Sequence, residues 1–237
     1  MNSLIFDIGT NVGEYTQYLL GNFPNCSVVC VEPQRDLVNH LKNIFGHEIN
    51  EGRIIVHEKA VSDEIGTVNL YPASDHSIAT TSEDFRTRSC FAASEKLING
   101  KMFKDCYQFF DPVEVETTTI DSLIDQHGVP DFLKLDVEGY EYEALLGLTQ
   151  KVPVVTFEWH EPLKDKVLKS IEHLSSIGFT KFSTEMWYKS EEYHDNEITD
   201  YKTKDEFEKW FTEYLEKEVP HMNEREWTQR SGMVWAR

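Results

Sequence analysis

One stretch near the N-terminus limits the folds open to this chain more than any other, the thirteen residues from Leu4 to Thr16. Leu4, Ile5 and Phe6 are an apolar run of the kind found in a strand covered on both faces. Asp7 and Gly9 end that run. Gly13 opens a helix predicted over residues 13–21, whose free N–H groups and positive end point at whatever lies above the turn. Gly9 and Gly13 carry no Cβ, so backbone there can approach a ligand closely. A strand, a glycine turn and a helix in this order form the device by which a parallel α/β sheet holds a nucleotide-like ligand at the carboxyl ends of its strands.

The turn reads D-x-G-x-N-x-G. A dinucleotide fingerprint reads G-x-G-x-x-G, and its middle glycine lets a diphosphate press on backbone. That glycine is missing here, which counts against a nicotinamide-dependent oxidoreductase. An acid and an amide in the turn, Asp7 and Asn11, suit a ligand bearing an ammonium and a sulfonium. Glu32 ends the next apolar run (27–32), where a carboxylate can accept two ribose hydroxyls. Together these residues point to S-adenosylmethionine, with S-adenosylhomocysteine as its spent form.

The chain has 42 Asp and Glu against 23 Lys and Arg, a formal charge of −19. That balance argues against binding a nucleic-acid backbone or an anionic membrane surface. No run approaches the length of a membrane span, and the first residues carry no basic, long-apolar leader. The four cysteines have no metal-site spacing and read as reduced, mostly buried residues of a cytoplasmic protein. With 237 residues the length suits one α/β domain, 1–237; the sequence is compatible with a homo-oligomer.

Along the chain, a strand at 27–31, a helix at 34–45 with Leu37, Leu41, Ile44 and Phe45 on one face, and a strand at 54–57 continue a β-α-β-α-β rhythm. That rhythm predicts right-handed crossovers and a parallel sheet. Residues 67–71 and 113–120 alternate in polarity and are expected to pair antiparallel. Between them, 72–112 breaks the rhythm, and a long insertion beside a ligand site is a candidate lid. Further strands are predicted at 131–136, 152–160 and 179–185, with helices at 121–126, after Gly139 and at 163–176. The stretch 186–230 is acidic and aromatic. Within it Phe207, Trp210, Phe211, Tyr214 and Leu215 fall at helical spacing on one face. Residues 231–236 close the chain as a strand.

Methyl transfer from a sulfonium is a displacement in which the protein aligns the partners and receives the nucleophile's proton. Asp136 ends the fourth parallel strand and Glu138 lies just past it. Glu158 and His160 are two apart on the neighbouring strand, hence on one face. His160 is the preferred general base, since its ordinary pKa is near neutrality. Glu158 or Asp136 would orient it. Two carboxylates and a histidine are also a ligand set for a divalent metal that positions a diol; this is the alternative, and no metal is assigned. Lys134 is expected to snorkel rather than react.

The stretches from Phe6 to Thr16, Val31 to Pro33, Ala60 to Asp63 with Gly66 to Tyr71, Thr118 to Leu123, Phe132 to Leu148 and Phe157 to His160 occur in an order that resembles the FkbM family of S-adenosylmethionine-dependent methyltransferases. The resemblance runs from about residue 4 to 160, and Lys134 to Gly139 is its most specific part. It implies a class I methyltransferase fold: a Rossmann-like α/β sandwich with a seven-stranded, mostly parallel sheet and an antiparallel last strand. It also implies methylation of a hydroxyl on a sugar or other small hydroxylated metabolite. By analogy Asp7, Gly9, Asn11, Gly13, Tyr15 and Thr16 surround the cofactor and Glu32 with Pro33 takes the ribose. Lys59, Ala60 and Val61 lie near the adenine, and Asp136 faces the methionine portion or the acceptor. The upstream helices that many relatives carry are not expected. Residues 72–112 and 186–237 follow no family pattern and are expected to choose the acceptor. A methyltransferase-fold assembly protein without catalysis is the competing reading.

Overall fold

The computed structural model describes residues 3–186, 200–216 and 230–237. Its elements are β1 (Leu4–Ile8), α1 (Glu14–Asn22), β2 (Ser27–Val31), α2 (Arg35–Ile44), α3 (Gly46–Asn50), β3 (Ile54–His57), β4 (Ala60–Val61) and β5 (Thr67–Leu70). These are followed by α4 (Glu83–Arg88), α5 (Cys90–Ala93), β6 (Leu97–Ile98), β7 (Lys101–Met102), β8 (Val113–Thr118), α6 (Ile120–His127) and β9 (Phe132–Leu135). The described chain closes with α7 (Glu141–Leu146), β10 (Val155–His160), α8 (Lys164–Ser176), β11 (Phe182–Met186), α9 (Lys204–Glu216) and β12 (Ser231–Ala236).

Seven strands form one sheet in the order β3-β2-β1-β9-β10-β12-β11. β1, β2, β3, β9 and β10 pair in parallel, and β12 runs antiparallel between β10 and β11. The order reverses between β1 and β9, which is where ligands bind in open α/β sheets. β5 and β8 pair antiparallel from Thr67↔Glu116 to Leu70↔Val113, as their alternating polarity predicts, in a separate small sheet with β4.

The strands are apolar on both faces because both faces are covered. Phe6, Ile8, Val29, Val31, Leu133 and Leu135 pack with α6, α7, α8 and α9 through Leu123, Leu145, Ile171, Phe207 and Phe211. Ile5, Val28, Cys30 and Ile54 pack the opposite way, on Leu19 of α1 and Leu41 of α2. In α2 the buried face is Val38, Leu41 and the following Phe45; Ile44, expected on that face, is exposed. The aromatic run of α9 behaves as its spacing predicts: Phe207 and Phe211 are fully buried and Trp210, Tyr214 and Leu215 pack beside them. The rest of the acidic, aromatic stretch at 187–199 and 217–229 lies outside the described residues. None of the four cysteines is bridged; three are buried and Cys106 is exposed.

Residues 72–112 are more ordered than a break in rhythm suggests. They hold α4, α5 and the β6–β7 hairpin, and they bury a small core of their own, Ile78, Phe85, Cys90, Phe91 and Phe103, closed by Leu163. Edge-on and tilted ring contacts at 5.0–5.9 Å tie Phe85, Phe91, Phe103 and Tyr107 together.

Candidate active site

A cavity of about 760 Å³ opens at the carboxyl ends of β1, β2 and β9, within the range of small-molecule sites. Gly9, Asn11, Tyr15, Glu32, Pro33, Lys59, Ala60, Val61, Asp136 and Glu138 line it, ten of the residues singled out from sequence. Lys134, Thr156 and Trp235 line it from the sheet face, and Asp75, His76, Ser77, Ala79 and Thr81 line it from the 72–112 segment. Asp7, Gly13, Thr16, Glu158 and His160 lie outside the lining.

Asp7 is fully buried beneath the turn. Thr16 Oγ1 donates to its Oδ2 at 2.6 Å, and Lys134 Nζ stands 3.2 Å from its Oδ1. The same ammonium lies 3.3 Å from Asp136 Oδ2, donates to the Gly9 carbonyl at 3.2 Å and sits 5.6 Å over the Tyr15 ring. Lys134 therefore does not snorkel. Burial alone would weaken its charge, but Asp136 and Asp7 outweigh burial and raise its pKa. The period of a strand could have revealed this, since Lys134 and Asp136 are two apart on one face.

Both glycines of the turn answer to the protein before any ligand. A Cβ on Gly9 (φ +75°) would stand 1.6 Å from the Asp136 carbonyl oxygen, and one on Gly13 (φ +88°) would stand 2.7 Å from the Phe45 ring. Close approach of β1 to the end of β9, and of α1 to α2, is what excludes side chains at these two positions.

Glu32 is buried at the end of β2. Its Oε2 accepts the Asn11 N–H and its Oε1 the Gln34 N–H, both at 2.9 Å. Burial raises its pKa, and the two amides oppose that rise. Asn11 has a positive φ of 52°, unusual for a residue with a side chain, and its buried Oδ1 has no hydrogen-bond partner. Asn11 lines the cavity as a residue, while this oxygen itself is closed off from it.

At the inner end, Glu138 also has a positive φ, 55°, followed by Gly139 at 86°. Thr80 Oγ1 donates to the Glu138 carbonyl at 2.6 Å, and Lys166 Nζ to that of Gly139 at 3.1 Å. Glu141 Oε1 accepts the Val137 and Gly139 N–H groups at 3.0 and 3.2 Å, a role its spacing after Glu138 did not disclose. Behind Glu138 the side chains of Glu158 and His160 converge: His160 Nε2 lies 3.0 Å from Glu158 Oε2 and 3.6 Å from Glu138 Oε2. The shared face predicted from their i, i+2 spacing is realised. The structure does not bring His160 to the cavity, because it is 5 % exposed and Phe85 packs against its ring, centroids 4.9 Å apart. Only Glu138 of the three faces the open space.

Burial pushes the Glu138 carboxyl up to about 7 and that of Glu141 up to about 8, and holds that of Glu158 well above its ordinary value. For His160 burial works against the cation, and Glu158 with Glu138 more than reverses it, so its pKa is raised.

Among the described residues no helix is long and apolar enough to cross a membrane. The chain is similar in fold to a crystal structure of the methyltransferase FkbM from Methylobacillus flagellatus KT, with a TM-score of 0.52 and 16 % identity. That match covers 98 % of this chain and 43 % of the other, so the chain spans less than half the length of that protein. It is also similar, at a TM-score of 0.44 and 10 % identity, to a precorrin-6y C5,15-methyltransferase from Geobacter metallireducens GS-15, over 99 % of this chain and 78 % of that one. No curated protein matches the sequence significantly. Residues 7–207 match the family described as the methyltransferase FkbM domain, which implies S-adenosylmethionine as methyl donor. A class I methyltransferase sheet, a cavity at its switch point and a family match over most of the length together make this chain a member of the FkbM methyltransferase family.

Proposed function

We propose that the protein moves a methyl group from S-adenosylmethionine to a hydroxyl of a sugar or other small hydroxylated metabolite. The observation that carries the reading is the division of the cavity. Glu32 and the Asn11 turn stand at one end, and Asp136 with Glu138 at the other. S-adenosylmethionine supplies a methyl carbon already activated on sulfur.

The residues present suit that donor. Glu32 keeps a lone pair on each oxygen after accepting two backbone N–H groups, which leaves acceptors for a ribose diol. Lys134 holds the Gly9 carbonyl and the Asp136 carboxylate in place from below. At the far end Glu138 is the group that touches the acceptor hydroxyl, and Glu158 and His160 support it from behind; His160 would act through Glu138 and not by direct contact. The 72–112 segment serves as a wall, with Asp75, His76 and Ser77 as candidates for choosing the acceptor.

Titration calorimetry with S-adenosylmethionine and S-adenosylhomocysteine tests the first half of this reading, and the expected result is one saturable site for each. No heat from either would overturn it. Transfer of labelled methyl to a panel of sugars and small polyols tests the second half; transfer only to amines or carbon acids would remove the hydroxyl from the proposal.

A further inference from the structure

The cavity reaches well past the donor. Its lining runs from Glu32, just past β2, to Glu185 on β11, and the sheet order puts five strand spacings between them, about 24 Å. A donor held at Glu32 and extending to Asp136, just past β9, takes two of those spacings. We propose that the remaining stretch, across β10, β12 and β11, is an acceptor subsite that holds a protonated amine between Glu185 and Trp235, so that the acceptor is an amino sugar or a similar amine-bearing polyol. This rests on the hydroxyl-methylating function proposed above.

Strand register builds the subsite. Trp235 pairs with Thr156 on one side and Ser183 on the other, and Thr156 pairs in turn with Lys134, so the four share one face of the sheet. Glu185 is two residues beyond Ser183 and returns to that face. It pairs with Met233, which makes it the diagonal neighbour of Trp235, about 7–8 Å away and within joint reach of one small group. Trp235 stacks on Phe132 with centroids 5.5 Å apart, and Tyr15 and Tyr18 continue the row at 6.4 and 6.0 Å. Trp235, Tyr15 and Tyr18 line the cavity. Aromatic faces with a carboxylate beside them suit an alkylammonium, which the ring quadrupole attracts.

The charge of the cavity is independent of that geometry and points the same way. Six acids line it, Glu14, Glu32, Asp75, Asp136, Glu138 and Glu185, against two lysines. Both lysines are already paired, Lys134 with Asp7 and Asp136, and Lys59 with Glu116 at 3.2 Å. S-adenosylmethionine brings one net positive charge, which leaves most of the excess in place. A phosphorylated or carboxylated acceptor would enlarge that excess, and an ammonium reduces it. Among the described residues the Glu185 carboxylate has no hydrogen-bond or ion-pair partner. Its field reaches the Tyr15 hydroxyl, whose pKa is raised by burial first, then by Asp7, with a smaller push from Glu185. Holding the nitrogen there also decides which atom is methylated. As an ammonium it has no lone pair, and it stands about three strand spacings, or 14 Å, from Asp136, so a hydroxyl oxygen is what the sulfonium meets.

The test uses the full chain saturated with S-adenosylhomocysteine, titrated by saturation-transfer NMR with matched probes. These are glucosamine beside glucose, galactosamine beside galactose and mannosamine beside mannose, with glucose 6-phosphate as the anion. At least one amino sugar should bind about tenfold or more tightly than its neutral counterpart, and glucose 6-phosphate should bind weakest. Equal affinity within every pair, tightest binding of the phosphate, or no saturable binding of any amino sugar would overturn the proposal. Those outcomes come from the unmodified protein and need no variant to fold. Glu185→Gln should remove the preference for the amine while leaving S-adenosylhomocysteine affinity and thermal melting unchanged, and Trp235→Leu should weaken both members of a pair. A preference intact in Glu185→Gln would overturn the assignment to this residue. S-adenosylhomocysteine binding retained while the preference fails confines the failure to the amine subsite, whereas its absence would strike the cofactor reading first.

Discussion

Replacing Lys134 by Met is the sharpest test of how the turn is held. The ammonium is buried and serves two carboxylates and one carbonyl. Removing one partner of a buried ion pair typically costs about 3–5 kcal/mol. The Asp136 side chain retains 27 % exposure and can rehydrate, whereas Asp7 retains none, so the loss falls chiefly on Asp7. The lower end, about 3 kcal/mol, is the expected value. For a domain of this size that corresponds to a melting temperature lower by about 6–12 °C. Urea and thermal unfolding of Lys134→Met, Asp7→Asn and the double variant form a cycle. Asn at position 7 still accepts from Thr16 and strands no charge, so the double variant should recover about half of the loss. Lys134→Met within about 1 kcal/mol of the unmodified protein, or a double variant showing the plain sum of the single losses, would refute the ion-pair account.

Gly9→Ala should be far worse than Gly52→Ala, although both positions have positive φ. A Cβ at Gly52 meets nothing within 4 Å, so that variant isolates the backbone cost of about 1–2 kcal/mol, and the clash at Gly9 should add about 2 kcal/mol or more, read from urea midpoints. Glu32→Gln keeps the shape and turns one acceptor into a donor facing an N–H; calorimetry should show S-adenosylhomocysteine affinity reduced about tenfold or more. His57 and His127 place their Nε2 atoms 2.8 Å apart, and burial lowers the pKa of both. Their unfolded forms therefore bind protons first, so the pair stabilises the fold above about pH 6.5 and that contribution is lost as pH falls through the lowered values. Between pH 7.5 and 5.5 the unmodified protein should lose more melting temperature than His127→Gln; parallel curves would exclude the pair as the cause.

Much of this was legible in the residues. The parallel order, the antiparallel β5–β8 pair and the α9 face follow from periodicity, because burial on one or two faces writes itself into spacing. Glu32 was legible because a strand end is the only place where an acid can close a run such as Val28 to Val31. Other features depended on three-dimensional neighbours. That Gly9 serves Asp136 and Gly13 serves Phe45 involves partners about 30 or more residues away, which no local pattern reports. His160 was placed on the correct face of its strand, but Phe85, from a segment without a readable rhythm, shields it from the cavity. Lys134 reads as a surface-seeking lysine because its second acid, Asp7, comes from a strand more than 100 residues earlier.

The position of β12 bears on how the chain is made. Ser231–Ala236 fills the slot between β10 and β11, pairing with Val155–His160 across about 70 intervening residues. At ribosomal speeds of about 5–20 residues per second, β10 waits about 4–14 seconds after its own synthesis for that neighbour. For that interval an apolar strand presents a bare hydrogen-bonding edge. Nascent chains stalled before residue 231 should accordingly recruit chaperones, and should release them once the last strand emerges.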